Sequence, residues 1–369
     1  MKRSVLIITY TYFQMMVAVQ LRRTEFKEDD VDIIVTDQSK GSAQVAKRLR
    51  ELSVFRSVFY VHDMDGLDET GRLSKYRRYL FARLQPEKTL RNYVCLNERY
   101  DVFLFHNASL LTHLILRHCG KQTQCFRFEE GYSTYTRPLL EKSRLRRWMI
   151  RCAFGDIGRR VCGLYLFHPE LFTQKVAYPL KRIRLLSQSD GELKHILNSM
   201  FAYAPDPQLA RADYIFLEES FRTALSTTED VELAAGIAET VGKERFVVKQ
   251  HPRSPNNPFE EKGIATAGSS DIPWEVILMN ERFENKTLLT VMSGTALAPL
   301  LYDYEPVTTY LLFRCMQDAP PMLDETYLSY IGALNGDGHL IIPQDKKSFF
   351  EILTAQIKTR KETERMYIQ

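Results

Sequence analysis

Short runs of β-branched and aromatic residues alternate with longer amphipathic stretches along the whole chain. Residues 5–8, 32–36, Ser57–Val61, 101–105 and Gln124–Phe128 read as strands in the first half. Residues 213–217, Phe246–Lys249, 288–291 and 308–313 repeat the pattern in the second. Helix-compatible segments lie between them. One opens at Thr227 and Thr228 with acids Glu229 and Asp230 in its first turn, runs through Val231, Leu233, Ala234, Ile237 and Ala238, and closes at Gly242. Alternation of this kind predicts parallel sheets covered by helices. Two such blocks predict an α/β protein of two Rossmann-like domains facing each other across a cleft.

A chain of 369 residues exceeds most single cores, in keeping with two domains. The basic, irregular stretch 163–180 carries no strong strand signal, so the boundary is placed there, giving domains 1–170 and 171–369. The charged segment 346–369 reads as one helix, a candidate to return to the first domain or to support a homodimer. The N-terminus imitates a targeting peptide, but its purely apolar core is only residues 5–8 and no small-residue cleavage site follows, so it reads as a first strand. No apolar run is long enough to span a bilayer. The expectation is a soluble, cytoplasmic protein, held at most at the inner face of the membrane.

Composition narrows the chemistry. The formal net charge of +4 excludes a nucleic-acid binder by composition. Six cysteines show no CxxC, and the histidines form no HExxH, so no metal site is signalled. The charge is uneven, however: Lys142, Arg144, Arg146, Arg147, Arg151, Arg159 and Arg160 face one acid, Asp156. On a helix, Leu145, Trp148, Met149 and Cys152 share one face and Arg144, Arg147 and Arg151 another. Segment 142–160 is thus a candidate peripheral membrane contact or a grip on an acidic glycan, against the plainer reading of a core-packed helix with a solvated face.

In open parallel sheets, ligands sit beyond the carboxyl ends of strands. After Gln124–Phe128 come Glu129, Glu130, Gly131 and Tyr132: two carboxylates at a strand end, where like charges raise one pKa and suit a general base. Lys249, at the end of Phe246–Lys249, is followed by Gln250, His251, Pro252 and Arg253, a cationic cluster fitted to a phosphate. After residues 288–291 come Ser293, Gly294 and Thr295, hydroxyls and a glycine leading into a helix and forming a candidate anion site. Pro273, Trp274 and Glu275 precede a helical run, where Glu275 is placed to accept from ribose hydroxyls or to sit as a first-turn acid. A second His-Pro, at His168 and Pro169, has Glu170 beside it instead of basic neighbours and reads as structural.

The order of these motifs resembles bacterial sialyltransferases: an acidic pair plus glycine, then Lys-x-His-Pro-Arg, Pro-Trp-Glu and Ser-Gly-Thr. The opening LIITYTYFQMMVA, with Gln14 after the first strand, and YIFLEESF at residues 214–221 are similar to glycosyltransferase family 52, which includes lipooligosaccharide sialyltransferases. The resemblance implies the two-domain GT-B fold and an inverting, metal-independent transfer of sialic acid from CMP-sialic acid to a glycan hydroxyl of a capsule or lipooligosaccharide, with no cofactor. It implies Glu129 or Glu130 as general base, with the lean to Glu129. His251 would assist departure of CMP, and Ser293 and Thr295 would hold its phosphate. Lys249, Pro252, Arg253, Trp274, Glu275, Gly131 and Gly294 complete the donor set, and Gln14 and Tyr132 belong to the acceptor side. Two rival readings remain: a glycosyltransferase using another nucleotide sugar, such as a UDP-hexose, and an inactive subunit of polysaccharide assembly.

Overall fold

The computed structural model describes residues 2–62, 80–96, 99–136, 155–219, 228–251, 254, 256–268, 271–317, 323–335 and 338–368. The chain divides into two units, Met1–Leu185 with His195–Phe201, and Leu186–Lys194 with Ala202–Gln369.

The first unit is built on a parallel sheet of seven strands: β1 (Ser4–Thr9), β2 (Asp30–Thr36), β3 (Ser57–Val61), β4 (Val102–Phe105), β5 (Gln124–Phe128), β6 (Val161–Leu166) and β7 (Leu180–Arg182), in the order β3-β2-β1-β4-β5-β6-β7. The central strand β1 pairs in parallel with β2 on one side and β4 on the other, so Val5 lies between Val31 and Val102. Val5, Leu6, Ile7 and Ile8 are all fully buried, which is why β1 reads as a continuous apolar run rather than an alternating one. Burying each of these side chains contributes about 2 kcal/mol. Phe103, Phe105 and the helix Leu110–Cys119, through Leu111, Leu114 and Ile115, close the core on this sheet.

The second unit repeats the plan with β8 (Tyr214–Leu217), β9 (Phe246–Lys249), β10 (Thr266–Ala267), β11 (Thr287–Thr290), β12 (Thr308–Leu311) and β13 (Leu340–Ile341), in the order β10-β9-β8-β11-β12-β13. The helix Glu229–Val241 begins after Thr228 and stops at Gly242, whose φ of +94° few other residues adopt without strain. Its buried stripe is Val231, Leu233, Ala234, Ile237 and Ala238, the periodicity read in the sequence. The predicted opening residue Thr227 lies outside the described residues.

Each strand expected from the sequence has a counterpart, to within a residue or two at its ends. Four more were not anticipated: β6, interrupted by Gly163, and the short β7, β10 and β13. Because β7 still pairs with β6 in the first sheet, the first unit continues to Leu185, past the boundary placed at 170/171. The helix Lys346–Ile368 belongs to the second unit, where Phe349 and Leu353 are buried and Arg360 stacks on Tyr214 and pairs with Asp213. Most of the basic segment 142–160, from 142 to 154, lies outside the described residues. Among the described residues, no helix is long and apolar enough to cross a membrane.

Candidate active site

In each sheet the strand order reverses at one point, β1/β4 in the first unit and β8/β11 in the second. These are the switch points where an open parallel sheet leaves a crevice.

In the first unit, the residues after β4 and β5 come together. Glu129 turns inward. It is 1% exposed, and its Oε2 accepts the Tyr135 hydroxyl at 2.6 Å and the Phe167 N–H at 2.8 Å. Burial pushes its carboxyl up to about 7, against the pull of those two hydrogen bonds. Glu130 is the more exposed of the pair, and its Oε2 contacts Nε2 of His106, the residue immediately after β4. His106 Nδ1 lies 3.3 Å from the Phe128 carbonyl, so the ring is held between that carbonyl and the Glu130 carboxylate. Gly131 adopts φ +98°, letting the chain reverse into the short helix Tyr132–Thr136, whose Thr134 hydroxyl accepts the Glu130 N–H at 2.8 Å.

Glu129, to which the sequence leaned as the base, is enclosed by partners that hold β5, β6 and the turn together, whereas Glu130 is only partly buried. Gln14 is also inward. Its Oε1 accepts the Tyr10 N–H at 2.7 Å and fixes the turn from β1 into the helix Tyr12–Arg23, so it braces the first strand's exit. Tyr132 is partly buried at the start of its helix. His168 pairs with Glu170, as its acidic neighbour suggested.

In the second unit, the ends of β9 and β11 flank β8. Lys249 is buried, and burial lowers its ammonium to about 8. His251 is partly buried, with its N–H donated to Glu218 Oε2 at 2.8 Å. Pro252 and Arg253 lie outside the described residues. The Ser293 and Thr295 hydroxyls are 2.9 Å apart, with Gly294 exposed between them. The expected helix after them is a 3-10 turn, Gly294–Leu297, followed by only Ala298–Leu301. One turn carries little macrodipole, so the hydroxyls rather than a helix start define this corner. Trp274 and Glu275 open the helix Trp274–Asn280, and both are buried, with Trp274 edge-on to Phe283 at 5.4 Å. Burial pushes the Glu275 carboxyl up to about 7.

A cavity of about 680 Å³ opens beside β9 and β10, lined by Tyr203, Asp206, Lys249, Gly268, Ile272 and Ile277 among others. Of the expected donor residues it reaches Lys249. His251, Ser293 and Glu275 do not line it, so it is distinct from the corner where a phosphate was expected.

Sequence reasoning overlooked His106, Glu218 and Glu219. Each immediately follows a predicted strand, so the strand-end rule that found Glu129 and His251 applies equally to them. Among the described residues, no group of three His, Cys, Asp or Glu is arranged to hold a metal ion.

Residues 4–295 match the family model described as Alpha-2,8-polysialyltransferase (POLYST). No curated protein sequence matches the chain. Among solved structures, the chain is similar to LpCGTa in complex with UDP, with a TM-score of 0.53 and 12% identity over 97% of this chain and 91% of that one. It is similar to a UDP-N-acetylglucosamine 2-epimerase, with a TM-score of 0.52 and 14% identity over 99% and 90%. It is also similar to the UDP-GlcNAc 2-epimerase of Neisseria meningitidis bound to UDP-GlcNAc, with a TM-score of 0.51 and 11% identity over 97% and 92%. At such identities these likenesses show the fold alone, two Rossmann-like units of the GT-B type.

Proposed function

The chain belongs to the alpha-2,8-polysialyltransferase family and is a sialyltransferase-type glycosyltransferase, and we propose that it moves sialic acid from CMP-sialic acid to a glycan hydroxyl by a single, inverting displacement. The family's name points to a sialic acid as the acceptor. The narrower likeness to family 52 keeps a capsule or lipooligosaccharide as the larger target.

The observation that carries the proposal is the pairing of Glu130 with His106 at the end of the first unit's central strands. In the proposed step the acceptor oxygen attacks the anomeric carbon of the donor sugar, and its proton passes to the Glu130 carboxylate. The bond from that carbon to the phosphate oxygen breaks, and CMP leaves with the electron pair. His106 orients Glu130. On the second unit, His251 and the Ser293 and Thr295 hydroxyls meet the charge that grows on the leaving phosphate, the task a cation performs in other transferases. The displacement therefore proceeds without a metal. We place the protein in the cytoplasm, with segment 142–160 as its contact with the inner face of the membrane.

The test is thermal unfolding with CMP, UDP, GDP and ADP, on wild type and His251→Ala, followed by turnover of CMP-sialic acid. A ligand at a hundred times its Kd stabilises by about 2.7 kcal/mol, a shift of several degrees. The expected result is a shift with CMP alone, reduced in His251→Ala together with turnover. Stabilisation by UDP or GDP instead would overturn the donor, and full activity in the variant would overturn the role of His251.

A further inference from the structure

Glu218 and Glu219 follow β8 at the second unit's switch point, between the residues that follow β9 and those that follow β11. β9 and β11 flank β8, so the two loops stand about 10 Å apart, two strand spacings, with this acidic pair between them. Two carboxylates facing a phosphate would repel it. Here each is turned onto the main chain. Glu218, 2% exposed, accepts the His251 N–H at 2.8 Å. Glu219 accepts the Met292 N–H at 3.1 Å and lies 3.2 Å from Thr290 Oγ1, which donates its one proton to the Leu217 carbonyl at 2.8 Å and accepts the Ser293 N–H at 3.2 Å. One glutamate thus fixes the backbone of His251, and the other, through the Met292 N–H, fixes the backbone entering Ser293.

We propose that Glu218 and Glu219 are positioning residues, each bracing one half of the donor-phosphate cradle through main-chain hydrogen bonds without touching the donor. This rests on the donor reading above. It assigns work to the LEES sequence after β8 that no strand end requires: the β8 ladder is already satisfied by Glu218 N–H donating to the Lys249 carbonyl. A buried acceptor whose donors are backbone N–H groups is expensive to remove and cheap to replace by another acceptor of the same length. Glutamine preserves the bond and discards the charge. Alanine discards both, and aspartate keeps the charge but withdraws the acceptor by one methylene.

The experiment compares the full-length wild type with Glu218→Ala, Glu218→Gln, Glu219→Ala and Glu219→Gln. It measures hydrogen–deuterium exchange of the peptides holding His251 and Met292, and affinity for CMP. The alanine variants are expected to speed exchange at their own loop and to weaken CMP binding by about tenfold or more. The glutamine variants should stay within about threefold of wild type in both readouts, a rescue that a role resting on charge would not give. If an alanine variant fails to fold, the corresponding aspartate variant takes its place, with the same expected loss. Glutamine variants as weak as alanine, or alanine variants with wild-type affinity, overturn the proposal. A wild type that binds no CMP sinks the donor reading instead, and unchanged exchange in the alanine variants would then reject the brace on its own.

Discussion

Glu275 sits in the first turn of the helix Trp274–Asn280 and is 8% exposed. Burial pushes its carboxyl from an ordinary 4.5 up to about 7, against the hydrogen bond from its own backbone N–H. The folded chain therefore holds this proton more tightly than the unfolded chain does. The stability this gives is fully present below 4.5 and is lost as pH rises through about 7. At about 1.4 kcal/mol per pH unit the whole interval is worth about 3 kcal/mol, most of which falls between about pH 5 and about pH 8. Glutamine cannot ionise, so Glu275→Gln removes this dependence, although burying its amide costs about 1–3 kcal/mol at every pH. Urea unfolding of both proteins at the two pH values separates the effects, because the pH-independent cost cancels in the difference of differences. Wild type should lose about 2–3 kcal/mol more than the variant on going to the higher pH, about 5–10 °C in melting temperature for a unit of this size. Equal losses would refute the reasoning: the carboxylate would then be compensated by a partner, or solvated, in the folded state.

Two further predictions concern the site and its surroundings. Glu130→Gln should lower turnover by about 10²–10⁴-fold, the usual worth of a general base, while Glu129→Gln, which keeps an acceptor for Tyr135 and Phe167, should stay within about tenfold of wild type. Initial rates decide, and the reverse order would return the base to Glu129. Gly268 has φ +29°, and a Cβ there would lie 2.5 Å from Asp206 Oδ2, whose other oxygen caps the helix Pro207–Arg211. Gly268→Ala should therefore cost about 1–3 kcal/mol in urea unfolding, and a variant as stable as wild type would show that Asp206 moves aside freely.

What the sequence revealed follows from where the burial is. Val5 to Ile8, buried on both faces, and Phe246 to Lys249 carry their strand identity in their own side chains. β6 does not, because Gly163 interrupts it. That glycine sits opposite Phe126, whose ring would lie 3.0 Å from any Cβ, so the residue is set by the neighbouring strand. β7, β10 and β13 are two or three residues long and are strands only because a partner pairs with them. The site divides the same way. Position after a strand marked out Glu130 and His251, but the choice between Glu129 and Glu130 depends on Tyr135, Phe167 and His106, contributed by three other segments. The helix expected after Ser293 is split into a 3-10 turn and a single further turn because Pro299, at the start of Ala298–Leu301, has no N–H to continue the ladder, an outcome that a hydroxyl-rich start does not reveal.

In both units the strand made first ends up in the interior of its sheet, not at an edge. β1 must pair with β4, with Val5 meeting Val102, and β8 must pair with β11, with Tyr214 meeting Thr287. A growing chain therefore displays an interior strand for the time needed to synthesise its second neighbour, about 5–20 s at about 5–20 residues per second. During that interval residues 5–8 form half of a sheet with an open edge, available to any other strand. The far half of each sheet is added only after the crossover to that second neighbour, so the yield of folded protein depends on how well that edge is guarded during synthesis as well as on the stability of the finished sheet.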